Sequence, residues 1–166
     1  TTAIIKPVDG MGGHSIFKLT QGDPNTPVIL DTMTLNNSRT VVTQEYIPQI
    51  SDSGDKRILM INGKPISHAL ARIPAKNDFR GNIAAGASYQ AVPLTEQDHY
   101  ICKQIGPTLK EKGLFFVGIN IIGNYLTEIN VTSPTCVREL DRLCGLDIAG
   151  DILDAIAILI SEPLLS

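Results

Sequence analysis

Phe115–Arg138 reads FFVGINIIGNYLTEINVTSPTCVR, two apolar runs parted by Gly123-Asn124, and the pairing of those runs decides the rest. In a strand, alternate residues point to the same face, so Glu128 and Asn130 look the same way. The apolar pattern sets the expected register. A three-residue loop pairs Ile122 with Leu126, which sets Asn120 opposite Glu128 and Gly118 opposite Asn130. Val117, Ile119, Ile121, Ile129 and Val131 then form one apolar back face. A two-residue loop with regular pairing would bring Ile119 against Glu128 and mix the faces, so the odd loop is expected. The polar face then gathers Asn120, Glu128 and Asn130 around a glycine. Such oxygen donors suit a hard cation, because magnesium is held by one or two carboxylates plus waters and substrate phosphates. An ordinary hairpin with a solvated polar face fits this segment equally well.

The remainder of the chain narrows the classes. Its 166 residues are 43% hydrophobic, enough to bury one substantial core. A net charge of −3, without charged blocks, gives no basic field for nucleic acid. No apolar run approaches bilayer length, so no membrane association is expected. The three cysteines, Cys102, Cys136 and Cys144, lack paired spacing and fit buried thiols in a reducing cytoplasm. Without CxxC or HExxH, structural zinc is not expected. Thr1–Pro7 already reads as a strand, so a piece of a larger protein is expected.

Further along, Ser15–Leu19 and Arg39–Tyr46 read as strands, and Pro24–Leu35 as a helix capped by Asp23. Asn62-Gly63 between Lys56–Ile61 and Pro65–Ile73 is a strong two-residue hairpin signal. Asn77–Val92 reads as a long loop. Thr95 caps a helix to about Lys112, in which Pro107 should make a kink or start a new turn. Ser133-Pro134 reads as the start of a helix to Cys144. Asp147 caps a last helix with an Ile148, Ile152, Ile156, Leu159 stripe. Strands, hairpins and helices interleave without a βαβ repeat, which is α+β architecture with antiparallel sheets and packed helices.

The Asp9–Ser15 loop, DGMGGHS, lies between two strands and lacks the GK[ST] ending, so it is neither a P-loop nor a dinucleotide fingerprint. Its glycines let backbone N–H groups wrap an anion, and Lys6 can add a point charge. Taken alone, an ordinary glycine-rich turn is the plainer reading. Arg57, Arg72 and Arg80, at or near the ends of successive elements, are further candidates for anion contact.

IIKPVDGMGG, QEYIP, GDKRILMINGKPI, ARIP, RGNIAAG and above all FVGINIIG with LTEINVTSPT resemble the C-terminal, nucleotide-binding portion of bacterial glutathione synthetase, an ATP-grasp carboxylate–amine ligase. The resemblance runs from Thr2 to about Asp154. It implies a partial ATP-grasp fold. Residues 1–47 would complete the small β-rich ATP lobe, with glycine loop and hinge. Residues 48–166 would form the large lobe with metal and substrate site, and the family's N-terminal substrate domain would be absent. It implies ATP contacts at Lys6, Gly10, Gly12, Gly13, Gln44, Glu45, Tyr46, Ile47 and Asp55, and substrate contacts at Asn82, Ser133 and Thr135. Arg57, Arg72 and Arg80 would be catalytic, stabilising phosphates or an acyl phosphate. Glu128 and Asn130 would hold Mg2+ or Mn2+, with Asn120 a third position at the metal. At Ser133 the resemblance and the residues agree, since a helix starting there would aim N–H groups at an anion.

The implied reaction joins γ-glutamylcysteine to glycine at the expense of ATP, through an acyl phosphate shielded from water by the Gly10–Gly13 and Asn77–Gln90 segments. His14, His68 and His99 have no expected role in it. By resemblance the protein would be cytoplasmic and a homo-oligomer, a tetramer. The chain also departs from the family. Asp is usual where Asn120 stands, and one unit-charge pair at ~4 Å is worth about 4 kcal/mol at an effective dielectric near 20. A small residue is commoner than His14. With the upstream portion missing, turnover by this piece alone is not expected. Two rivals stand beside this reading: another ATP-grasp carboxylate–amine ligase, or a non-catalytic nucleotide-binding fragment.

Overall fold

A computed structural model describes residues 1–161, so the end of the expected 48–166 lobe, residues 162–166, lies outside the described residues. The elements are β1 (Thr2–Pro7), β2 (Phe17–Thr20), α1 (Thr26–Thr34), β3 (Val41–Glu45), α2 (Ile50–Ser53), β4 (Asp55–Ile61), β5 (Lys64–Ile73), a 3-10 turn (Ile83–Ala85), β6 (Ser88–Pro93), α3 (Glu96–Glu111), β7 (Phe116–Ile122), β8 (Tyr125–Asn130), α4 (Val137–Cys144) and α5 (Ile148–Ser161). They fall into two compact units, Thr1–Gly54 with Ile73–Ser88, and Asp55–Arg72 with the chain from Tyr89 onward. A boundary at residue 47 was the sequence expectation. The first unit instead runs on to Gly54 and takes in 73–88. Contacts of Arg80 and Asn82 with the glycine loop belong to that returning segment.

The first unit is built on a three-stranded antiparallel sheet in the order β2-β1-β3. Ile5 at its centre is fully buried. α1 starts at Thr26 rather than Pro24. Asp23 is not its cap: its Oδ1 accepts from the Asn25 backbone N–H at 2.8 Å and from the Asn25 side chain at 3.0 Å, a turn that delays the helix.

The second unit is a five-stranded sheet, order β6-β5-β4-β7-β8. Asn62 and Gly63 both take positive φ (48° and 76°), the backbone that a two-residue turn between β4 and β5 requires. One face carries the core: Ile58, Met60, Ala69, Val117, Ile119 and Ile121 pack against Ile101, Cys102 and Leu109 of α3. The Thr95 hydroxyl accepts from the Asp98 N–H while Asp98 accepts from the Thr95 N–H, the reciprocal cap expected of a helix start. α3 then runs through Pro107 as one element. Apolar anchors on both sides of the proline outweigh one lost hydrogen bond.

Three expectations are corrected here. The loop expected over 77–92 contains a 3-10 turn, and its end is the edge strand β6. Its small and polar alternation, SYQAV, carries little strand signal of its own. Ile129 and Val131, expected in the back face, are 45% and 46% exposed, because β8 is the sheet edge and the core cluster reaches it through Leu126. On α5, Asp147 does cap, accepting from the Gly150 N–H at 3.0 Å. Only the start of its stripe is covered, however: Ile148 is buried while Ile156 and Leu159 are exposed. No described helix is long and apolar enough to cross a membrane.

Candidate metal and anion site

The polar face of the second unit's sheet holds the cluster. On β7 and β8, Gly118 pairs with Asn130 and Asn120 with Glu128, as the apolar pattern demands. The route differs from expectation. The loop has two residues, with Ile122 opposite Tyr125, and the odd residue is a bulge between Leu126 and Glu128. Thr127 is that extra residue, and its Oγ1 donates to the Asn120 carbonyl at 3.2 Å. The bulge turns Glu128 back to the face that a regular two-residue hairpin would have denied it.

Behind this pair stands a buried network. Asn120 Oδ1 accepts from Arg57 Nε at 2.8 Å, and its Nδ2 donates to Glu128 Oε2 at 3.1 Å and to Asp55 Oδ2 at 3.2 Å. Asp55 Oδ2 also accepts from Arg72 Nη2 at 2.5 Å, and the Asp55 carbonyl from Arg72 Nε at 3.4 Å. Asp55, Arg57, Arg72 and Asn120 are all buried. The strands explain the grouping, since Asp55 pairs with Arg72 on β5 and Arg57 with Asn120 on β7. Burial pushes the Asp55 carboxyl above its ordinary range, against the pull of the Arg72 guanidinium. Burial likewise lowers Arg57, with Arg72 pushing the same way.

Gly118 completes the space. A Cβ there would lie 2.7 Å from Pro134 Cβ and 2.8 Å from Arg57 Nη1, so glycine lets the guanidinium and the Ser133-Pro134 turn share the face. The expected helix at Ser133 is not there. Ser133 takes φ 45°, Cys136 takes φ 88° at the cap position, and α4 begins at Val137. Two left-handed residues interrupt the helical path, so Ser133 and Thr135 sit in a turn ahead of the helix and no N–H array is aimed from Ser133.

In the first unit, Lys6 lies on β1 opposite Val42, and Gln44 and Glu45 on β3 lie opposite Ile4 and Ala3. Tyr46 follows, its ring 3.8 Å from Lys18 Nζ, and Ile47 continues the chain. Gly12 and Gly13 need their positive φ (65° and 81°), and a Cβ on Gly13 would lie 2.7 Å from Asn82 Oδ1. Gly10 is as confined, with Pro7 Cγ 2.5 Å from a would-be Cβ. Arg80 donates to the Gly13 carbonyl at 3.2 Å and to Asp78 Oδ2 at 2.7 Å. That contact holds the Asp78 carboxyl down to about 2. Asp78 escaped the sequence reading, although an acid two residues before an arginine in a loop is a visible signal.

Among the described residues no group of three His, Cys, Asp or Glu could hold a metal. Two carboxylates with amide oxygens do fit magnesium, which needs few protein charges. Asp55 Oδ1 is buried without a hydrogen-bond partner, an acceptor that a cation or its water would satisfy. Asn130 uses its nitrogen on the Gly118 carbonyl (3.3 Å), a contact that does not consume its oxygen.

Residues 1–145 match the family described as prokaryotic glutathione synthetase, ATP-grasp domain. The chain is 58% identical over 153 residues to a glutathione synthetase of Pseudomonas putida, covering 92% of this chain and 48% of that one. Against the glutathione synthetase of Xylella fastidiosa it is 58% identical over 154 residues, covering 93% and 49%. It thus spans about half the length of the curated relatives it matches. Its backbone is similar to that of D-cycloserine synthetase DcsG, with TM-score 0.70 at 14% identity, covering 96% of this chain and 56% of the other.

Proposed function

This chain belongs to the prokaryotic glutathione synthetase ATP-grasp family, and from that premise we propose that it forms the nucleotide-binding half of a ligase joining γ-glutamylcysteine to glycine. The observation that carries this reading is the convergence of Arg57, Asn120, Glu128 and Asp55 on one sheet face, in the family's own segment. ATP is the co-substrate. Glu128 and Asn130 would hold Mg2+ or Mn2+, which supplies charge neutralisation to the phosphates when bound.

A carboxylate is a poor acylating agent. The cysteinyl carboxylate therefore attacks the γ-phosphorus, the bond to ADP breaks, and an acyl phosphate forms. The glycine amine next attacks the acyl carbon, phosphate departs, and the amine proton is lost. Arg57 and Arg72 are fixed positive charges beside the reacting groups and need no reorganisation, because Asn120 and Asp55 already hold them. Lys6 and the Gly10–Gly13 backbone take phosphate charge, and Gln44, Glu45, Tyr46 and Ile47 take adenine and ribose. Arg80 bonds to the glycine loop and Asn82 lies against Gly13, and that loop would shield the intermediate from water. Ser133 and Thr135 meet the peptide. By the same family reading the protein is a cytoplasmic homo-oligomer.

The test uses the protein expressed from its complete reading frame. Phosphate release should require γ-glutamylcysteine and glycine together, and other acid–amine pairs should give under a hundredth of that rate. Glu128→Ala should abolish it, with a larger loss than Asn120→Ala. Comparable turnover of a different pair, or an active Glu128→Ala enzyme, would overturn the reading.

A further inference from the structure

Both oxygens of the Asp78 carboxylate are taken up by the two residues that follow it. Oδ1 accepts from the Phe79 N–H at 2.7 Å, the Arg80 N–H at 2.9 Å and Arg80 Nε at 3.1 Å. Oδ2 accepts from Nε at 3.2 Å and from Nη2 at 2.7 Å. The carboxylate therefore grips one edge of the guanidinium, and Nη1, on the far side, donates to the Gly13 carbonyl at 3.2 Å. That carbonyl and the His14 N–H belong to one planar peptide group, and the N–H donates to the Met11 carbonyl at 3.2 Å. The Gly13–His14 peptide is thus held at both ends, by Met11 within the glycine loop and by Arg80 from 67 positions along the chain. The segment that carries Arg80 is itself braced. The Asp78 N–H donates to the Ala75 carbonyl at 2.9 Å, and the Asn82 carbonyl accepts from the N–H groups of Ala85 at 2.9 Å and Ala87 at 3.3 Å. All of these residues belong to the first compact unit.

Resting on the functional reading above, we propose that Asp78 is a positioning residue for nucleotide binding, which fixes the Arg80 guanidinium on the Gly13 carbonyl and so sets the glycine loop before a phosphate arrives. An unheld arginine side chain would lose rotamer freedom on reaching that carbonyl, and one neutral acceptor returns little for it. Gripped by Asp78, the guanidinium has already lost that freedom, so the bond to Gly13 forms at small further cost. The backbone N–H groups of the loop then need less reordering to meet an anion. Asp78 itself meets no substrate. Its effect passes through Arg80.

The measurement is titration calorimetry of a non-hydrolysable ATP analogue, with MgCl2 present, on the protein expressed from its complete reading frame. Asp78→Asn keeps an oxygen for the Phe79 and Arg80 N–H groups but loses the grip on the guanidinium. It should weaken binding about tenfold, as should Arg80→Ala. The double variant should bind within about twofold of Arg80→Ala, because a residue that acts through another has no effect once that partner is removed. A double variant that shows the product of the two single losses overturns the proposal, as does an Asp78→Asn or Arg80→Ala protein that binds within about twofold of wild type. A merely structural role for Asp78 would give a lower melting temperature with wild-type affinity for the analogue, and that result also overturns it. If Asp78→Asn does not fold, Asp78→Glu, whose longer side chain displaces the carboxylate from the turn, takes its place in the same cycle with the same deciding results. Failure of the functional reading looks different, since wild type itself would then not bind the analogue.

Discussion

Asn120 and Glu128 face each other across β7 and β8, Nδ2 to Oε2 at 3.1 Å, although only two residues join the strands. The pairing exists because Thr127 occupies a bulge. A regular ladder from the same turn would have sent Glu128 into the apolar face that holds Ile119 and Ile121.

Deleting Thr127 should therefore be tolerated, although it removes a residue from the middle of a strand. Leu126 stays opposite Ile121 and Glu128 opposite Asn120, so no side chain changes face, and the loss of the bond from Thr127 to the Asn120 carbonyl costs about 1 kcal/mol. Deleting Ile129 should be far worse, because it turns Asn130 toward the core. Urea unfolding of the two deletions checks the ranking, and equal losses would disprove the register argument.

Gly63 and Gly106 touch backbone to backbone, and a Cβ on Gly63 would lie 2.6 Å from the Gly106 carbonyl oxygen. Gly106→Ala, whose Cβ would strike the Gly63 carbonyl, should cost about 2–3 kcal/mol as the β4–β5 turn is pushed off α3. Gly113→Ala has a positive φ but open space around it, and should cost about 1 kcal/mol. Chemical denaturation of both, with Gly113→Ala the milder, is the expected result.

Lys56 and Asp98 form a buried ion pair with Nζ 2.5 and 2.6 Å from the two carboxylate oxygens, and Asp98 also caps α3. Asp98→Ala leaves a buried ammonium unpaired and should destabilise by about 3–5 kcal/mol. Adding Lys56→Met should recover much of that loss. A double variant as unstable as the single one would show that the cap, not the charge, dominates.

Asp78 titrates at about 2 in the folded protein, below the ordinary 3.8, because Arg80 bonds its charged form. A depressed carboxyl stabilises the fold fully above about 3.8, and that contribution is lost as pH falls through about 2. Between those values wild type should lose stability more steeply than Asp78→Asn. Acid unfolding curves of equal slope would count against the Arg80 clamp.

Much of the candidate site was legible because strands alternate. Glu128 and Asn130 share a face by spacing alone, and Ile119 and Ile121 identify the opposite face as core. Asn62-Gly63 announced its turn because few pairs adopt two positive φ values. The Ser133 helix misled, because a Ser-Pro start is a good local signal and the backbone at Cys136 overrides it. β6 was missed because an edge strand is held by its neighbour's hydrogen bonds rather than by its own composition.

The sequence by itself determined the α+β class, the family and the residues that line the polar face, since periodicity and turn chemistry are local properties. Only the tertiary structure decided that Thr127 bulges, that Asn120 serves three partners at once, and that Arg80 bonds to Asp78 and Gly13. Each of those is a choice among nearby partners brought together from distant positions, and hydrogen bonds worth about 1 kcal/mol apiece settle it only once packing has fixed which groups can meet.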